Sequence, residues 1–132
     1  MGLPAANANS TVVAVDTHIV MVPSPGGPVP TPLPHPFNGM MSGGLVSTVK
    51  ISGQPAAVVD STADNSPAHI PTPPGASIQK PPANSGAVMM GSMTVKIGGK
   101  GAARNGDPVK TCNDPADIPV GQVIAAGTVM AG

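Results

Sequence analysis

The sequence predicts a small all-β domain that depends on a bound metal for its stability. Three observations support this prediction. First, no stretch of ten residues both lacks proline and glycine and has apolar residues at helical spacing. Second, one β-hairpin pattern occurs twice. Third, large apolar side chains are scarce. The 132 residues include 18 prolines and 17 glycines, but one Phe and neither Trp nor Tyr. A chain of this kind needs a disulfide, a metal or association to supplement its core.

The repeated pattern is a ten-residue segment that occurs at positions 48–57 and again at 94–103. Both copies begin Thr-Val-Lys-Ile, continue through a glycine-containing turn and end in Ala-Ala. Alternating β-branched residues followed by such a turn predict a tight hairpin, and a fixed period indicates a repeated structural unit. Residues 11–22 and 118–130 are predicted to supply further strands.

Proline-rich segments separate these predicted strands, at positions 23–36, 67–74 and 81–82. The residues at 29–34 are echoed at 70–75, which places proline at matching positions of two units. Because proline has no N–H to donate, these segments are predicted to run as extended edge chain or as loops.

Charge and composition exclude several classes of function. The formal net charge is zero and no dense basic cluster is present, which argues against nucleic-acid binding. Residues 1–10 lack the basic and apolar regions of a secretory signal, and the longest apolar stretch contains Asp16 and His18 and is too short for a membrane span. A single cysteine excludes a disulfide within the chain and is typical of a protein assembled in a reducing cytoplasm.

The chain has four nitrogen and sulfur donors suited to zinc, which are His18, His35, His69 and Cys112. Four is the number that a closed tetrahedral structural site requires. No pair has the short spacing of a zinc finger, so the four residues could instead be scattered surface histidines and a buried thiol. The shortage of apolar core favours the metal, because ligation would tie four distant segments to one point.

Two other classes remain open from the residues alone. A zinc hydrolase would need an open metal position and a carboxylate base, but the chain has no Glu and its Asp residues stand mostly in turn-like contexts. An enzyme is therefore not expected. A metal-free β adhesive or interaction module, in which the histidines are incidental, is the second alternative.

Several segments resemble the PAAR-motif spike-tip proteins of type VI secretion and other contractile injection systems. The resemblance covers the chain from about Ala14 onward and depends on the segments at 16–20, 23–37, 67–75, 94–104, 106–107 and 111–115. The namesake Pro-Ala-Ala-Arg motif reads Gly101-Ala102-Ala103-Arg104 here, and the earlier copy, Pro55-Ala56-Ala57-Val58, lacks the arginine.

The resemblance implies one PAAR-type domain over residues 1–132 without a fused effector domain. The implied fold is an all-β cone of three short faces with pseudo-threefold character, hairpin repeats and proline-rich loops. One structural Zn²⁺ near the apex would be held by His18, His35, His69 and Cys112.

The resemblance also implies a structural, non-enzymatic function. The base of the cone would cap the trimeric valine–glycine repeat (VgrG-type) spike and sharpen it for puncturing a target membrane. Unfused effectors would be potential passengers, and no nucleic acid would be bound. The protein would be assembled in the bacterial cytoplasm and delivered outside the cell, or into the target cell, on firing.

Overall fold

The structure is a computed structural model that describes residues 2–71, 76–114 and 116–132. Within those ranges the chain forms thirteen strands and no helix, which confirms the predicted all-β class; it follows that no helix there could cross a membrane. The strands are β1 (Leu3–Pro4), β2 (Thr11–Val22), β3 (Val29–Gly43), β4 (Val46–Ile51), β5 (Gln54–Ala56), β6 (Thr62–Asp64), β7 (Ser77–Ile78), β8 (Ser85–Val88), β9 (Lys96–Ile97), β10 (Lys100–Gly101), β11 (Pro108–Thr111), β12 (Ile118–Ile124) and β13 (Met130–Ala131).

Six of the strands close into an antiparallel barrel. Their order is β12-β11-β8-β6-β3-β2, and β2 pairs back to β12 through its first residues. Strand β7 adds to the far end of β2. The barrel is thus built from three successive strand pairs, β2 with β3, β6 with β8, and β11 with β12. Its core is filled mainly by valine and alanine, with one Phe and one Met; the core residues include Val12, Phe37, Met41, Ala63, Val88, Val109 and Val123.

The proline-rich segment is strand from Val29 onward and not a loop, because its prolines are spaced to suit a strand. Strand β3 pairs with β2 over twelve consecutive positions, from Val29 opposite Val22 to Met40 opposite Thr11. Prolines occupy every second position from Pro30 to Pro36 and are exposed. Their missing N–H groups therefore lie along one edge of the strand, and the intervening residues donate to β2. Of the second proline-rich segment, residues 72–74 lie outside the described ranges.

Three buried Ala-Ala pairs hydrogen-bond to one another in a closed ring, which we call the alanine ring. The N–H of Ala6 donates to the carbonyl of Ala103 (2.8 Å), that of Ala103 to Ala57 (3.0 Å), and that of Ala57 to Ala6 (3.1 Å). All three side chains are fully buried. Each Ala-Ala pair leads through a short turn into β2, β6 or β11, the first strand of each strand pair in the barrel. The ring therefore fixes where the three strand pairs begin.

The predicted hairpins are confirmed at β4–β5 and β9–β10. Ile51 stands opposite Gln54 and Ile97 opposite Lys100, and the residues between them have positive φ. The strands β13 and β1, at opposite ends of the chain, pair in the same register, with Ala131 opposite Leu3, and the sequence analysis did not predict this pair. The two-stranded unit therefore occurs three times, twice as a hairpin and once as a pair of chain ends. Residues 3–10, which precede the segments of the resemblance, belong to the fold.

We expect Gly39→Ala to destabilise the barrel, because the added methyl group would collide with the carbonyl oxygen of Asp64 on the neighbouring strand. Overpacking at such a site costs about 1–3 kcal/mol. The matched control is Gly26→Ala, where no atom lies within 4 Å of the added carbon. Urea unfolding of both variants measures the difference, and equal free energies of unfolding would contradict the close strand approach.

Candidate metal centre

The four predicted ligands come from different parts of the barrel, and their side chains are buried together at one end of it. His18 lies on β2 and His35 on β3, each facing inward. His69 lies in the connection between β6 and β7, and Cys112 directly follows β11. The three imidazole rings converge, with centroids 4.8 Å apart for His18 and His69, 5.3 Å for His18 and His35, and 5.5 Å for His35 and His69.

Three of these side chains and one carboxylate form a group of donors that could hold a metal ion. Nε2 of His18 lies 2.9 Å from Nδ1 of His69, and Sγ of Cys112 is 3.9 Å from each. The fourth member is Asp16, and one donor atom from each of the four lies within 4.8 Å of the others. Ligands around a tetrahedral zinc stand about 3.3–3.6 Å apart, so modest movement would seat an ion.

Asp16 was not among the predicted site residues. Its Oδ1 accepts hydrogen bonds from the hydroxyl of Thr111 and from Nδ2 of Asn113 (3.3 Å). Its Oδ2 accepts from the thiol of Cys112, with 3.6 Å between oxygen and sulfur. A signal was available in the sequence, because Asp16 and His18 are two residues apart on a predicted strand and must therefore share a face.

His35 adjoins this group, and its hydrogen bonding fits a ligand. Its Nδ1 lies 3.0 Å from the carbonyl of Leu33, and a carbonyl can only accept, so Nδ1 carries the proton. Nε2 is then a bare lone pair, buried and without a hydrogen-bond partner in the described structure. In the same way, the carbonyl of Pro36 lies 3.1 Å from Nε2 of His69, which leaves its Nδ1 free to bind a cation.

His18 has an acceptor beside each of its two ring nitrogens, but a neutral imidazole carries only one N–H to donate. Towards His69, whose Nδ1 is an acceptor, Nε2 of His18 would have to donate. Towards the carboxylate of Asp114, 3.5 Å away, Nδ1 would have to carry the proton instead. A cation held by Nε2 of His18 and Nδ1 of His69 would satisfy both sides, because Nδ1 of His18 could then keep the proton.

Burial shifts the pKa values of two members of the group. It lowers the pKa of His69, with the neighbouring His18 lowering it further, so this imidazole is neutral near pH 7 and able to bind a metal. Burial also raises the pKa of the Cys112 thiol. A cation must therefore displace the thiol proton before sulfur can bind it as thiolate.

The geometry supports a metal centre without identifying the ion. It brings His18, His69 and Cys112 together with Asp16, and it places the ring of His35 against them. Imidazole and thiolate donors suit zinc among the common divalent ions, and zinc with His18, His35, His69 and Cys112 as ligands stays a prediction.

We expect the purified protein to contain about one zinc per chain by elemental mass spectrometry. Cys112→Ser and His35→Ala should each lower the zinc content and the melting temperature, because both remove a donor from a buried site. Lys110→Ala, an exposed neighbour of Cys112, is the control and should keep the metal. Full occupancy in the His35→Ala variant would instead show that His35 is not needed as a ligand.

Zinc affinity should rise with pH, because the Cys112 proton must leave. Between about pH 6.5 and 8.5 the thiol is protonated without metal and His69 is neutral. One displaced proton then strengthens binding about tenfold per pH unit. Chelator competition across this range measures the slope, and proton release in weak buffer gives an independent count. An affinity that does not change with pH would exclude thiolate ligation.

Comparison of the chain with protein-family models gave no match, and comparison with curated proteins gave none either. The site's own geometry is therefore the basis on which its function is inferred. That geometry is a buried group of imidazole, thiol and carboxylate donors at one end of a small closed barrel.

Proposed function

We propose that this protein is a PAAR-like spike tip, which caps the trimeric VgrG-type spike of a bacterial contractile injection system. The observation that carries the proposal is that the alanine ring is built from three similar two-stranded units. Three equivalent hydrogen bonds join Ala6, Ala57 and Ala103, and three two-stranded units in matching register lead into them, namely two hairpins and the β13–β1 pair. A single chain with three similar units can make three similar contacts with the end of a trimer.

The three two-stranded units also supply a candidate docking surface. Each contains a Thr-Val dipeptide in its first strand or immediately before it, and the three valines at these matching positions are partly exposed, Val49 by 37%, Val95 by 36% and Val129 by 42%. Apolar side chains repeated around a surface are typical of a face that another protein covers. We assign this hairpin face to the spike.

The metal centre lies well away from the hairpin face. His18 follows Ser10, the last residue of the turn before β2, by eight positions, which at the usual rise of a strand is roughly 26 Å. In the proposed assembly the metal would therefore stabilise the end of the barrel that points away from the spike. A cation joining β2, the His69 connection and the end of β11 would resist local unfolding there when the spike is driven into a membrane.

The proposed role is structural and needs no catalytic step. The pseudo-threefold cone, with proline-rich loops outside β3, belongs to this proposal. So do the contacts with the target membrane, assembly in the cytoplasm and delivery on firing. The unfused effectors that would travel with the tip belong to it as well.

One observation favours a second candidate, a zinc hydrolase. A cavity of about 300 Å³ borders His35 and His69 and is otherwise lined mostly by apolar residues. A hydrolase would need this cavity to lead to an open metal position. Ligation by His35 would close that position, so the zinc content of His35→Ala separates the two candidates together with an assay for hydrolysis.

The proposal predicts that one chain binds one trimeric VgrG-type spike protein encoded in the same genome. Native mass spectrometry should give a stoichiometry of one to three. Replacing Val49, Val95 and Val129 together by Glu should weaken binding at least tenfold, because three charges would be buried against the spike. Val15→Glu is the control, since this valine is 62% exposed on the barrel wall. Binding that survives the triple substitution would contradict the assignment of the face.

A further inference from the structure

Each of the three clustered imidazoles has an oxygen atom near one ring nitrogen, which we call its outer nitrogen. For His35 and His69 that oxygen is a main-chain carbonyl, at 3.0 and 3.1 Å, and Nε2 of His69 also lies 3.6 Å from Oδ2 of Asp16. For His18 it is Oδ2 of Asp114, 3.5 Å from Nδ1. His18 is therefore the one imidazole of the three whose outer nitrogen makes no hydrogen bond in the described structure, and the carboxylate of Asp114 is the group beside that nitrogen.

Asp114 is held firmly in this place. Its Oδ2 accepts a hydrogen bond from the N–H of Ile19 (3.0 Å), and its own N–H donates to the carbonyl of Thr17 (2.8 Å). The side chain of the preceding Asn113 accepts from the N–H of Thr17 (2.7 Å). The loop after Cys112 is thus attached to β2 on both sides of His18, and the Asp114 carboxylate is only 5% exposed.

We propose that Asp114 is a positioning residue for the metal centre, which keeps His18 in the form with the proton on Nδ1 and the lone pair on Nε2. A buried carboxylate beside Nδ1 favours a proton there, and it makes Nε2 a better donor to a cation. The inference goes beyond the proposed function, because it concerns the metal centre alone and holds whether or not the protein docks on a spike.

The same contacts join two parts of the metal centre. His18 and Cys112 are 94 positions apart in the chain, and Asn113 and Asp114 attach the segment carrying the thiol to the strand carrying the imidazole. Asp114 therefore affects both the orientation of the His18 ring and the distance between the donor atoms of His18 and Cys112. Outer partners of this kind typically change metal affinity by about 10- to 100-fold.

The test compares Asp114→Asn and Asp114→Ala with the wild-type protein. The asparagine retains an oxygen that can accept from Ile19, whereas the alanine removes the partner altogether. We expect zinc affinity, measured by chelator competition, to fall about tenfold in Asp114→Asn and up to about 100-fold in Asp114→Ala. Asp117→Asn, an exposed carboxylate of the same loop, is the control and should bind zinc like the wild type.

The tautomer supplies a readout that general loosening of the loop would not reproduce. Long-range ¹H–¹⁵N spectra of the zinc-loaded wild type should show His18 protonated at Nδ1 and bound to metal through Nε2. In Asp114→Asn the fraction in that form should fall. Unchanged affinity and tautomer in folded variants would overturn the role of Asp114, and a wild-type protein that binds no zinc would overturn the metal centre itself.

Discussion

Three main-chain hydrogen bonds among buried alanines are the constraint on which the rest of this molecule depends. The bonds between Ala6, Ala57 and Ala103 run in one direction around a ring, so each segment both donates and accepts. Larger side chains would separate the three backbones, which explains why a chain with little apolar bulk places its smallest apolar residue here. The turns that follow set the register of the barrel, because the N–H groups of Met41, Val88 and Val123 donate back to the residues that end those turns.

The two ends of the barrel are stabilised by different chemistry. Near the alanine ring, small apolar residues pack closely around main-chain hydrogen bonds. At the other end the buried groups are polar, and they include Asp16, His18, Thr111 and Asn113. Groups of this kind are costly to bury unless every one has a partner, and here Nδ1 of His18 and Nε2 of His35 have no hydrogen-bond partner in the described structure. A cation bound to Nε2 of His35 would supply one of the missing partners, so the stability of that end would depend on bound metal.

Much of this architecture could be predicted from the sequence, because local chemistry specifies the hairpins. Both complete copies contain the glycine turn and the Thr-Val-Lys-Ile strand. The third copy was missed because its halves lie at opposite ends of the chain and its strand reads Thr-Val-Met-Ala. The donors His18, His69 and Cys112 could be found by inventory, since few residues of the chain bind zinc. Asp16 and Asp114 could not be found in this way, because an aspartate becomes part of a metal centre only through the burial that tertiary structure creates.

The alternate prolines of β3 have a consequence for the behaviour of many copies at high concentration. An exposed strand edge normally offers N–H groups on which another chain can pair, and proteins protect such edges against aggregation. From Pro30 to Pro36 the donors on one edge of β3 are missing by covalent structure, whatever the solvent or the pH. This edge is therefore a poor template for strand exchange, because it offers carbonyl acceptors without the donors that a complete ladder needs.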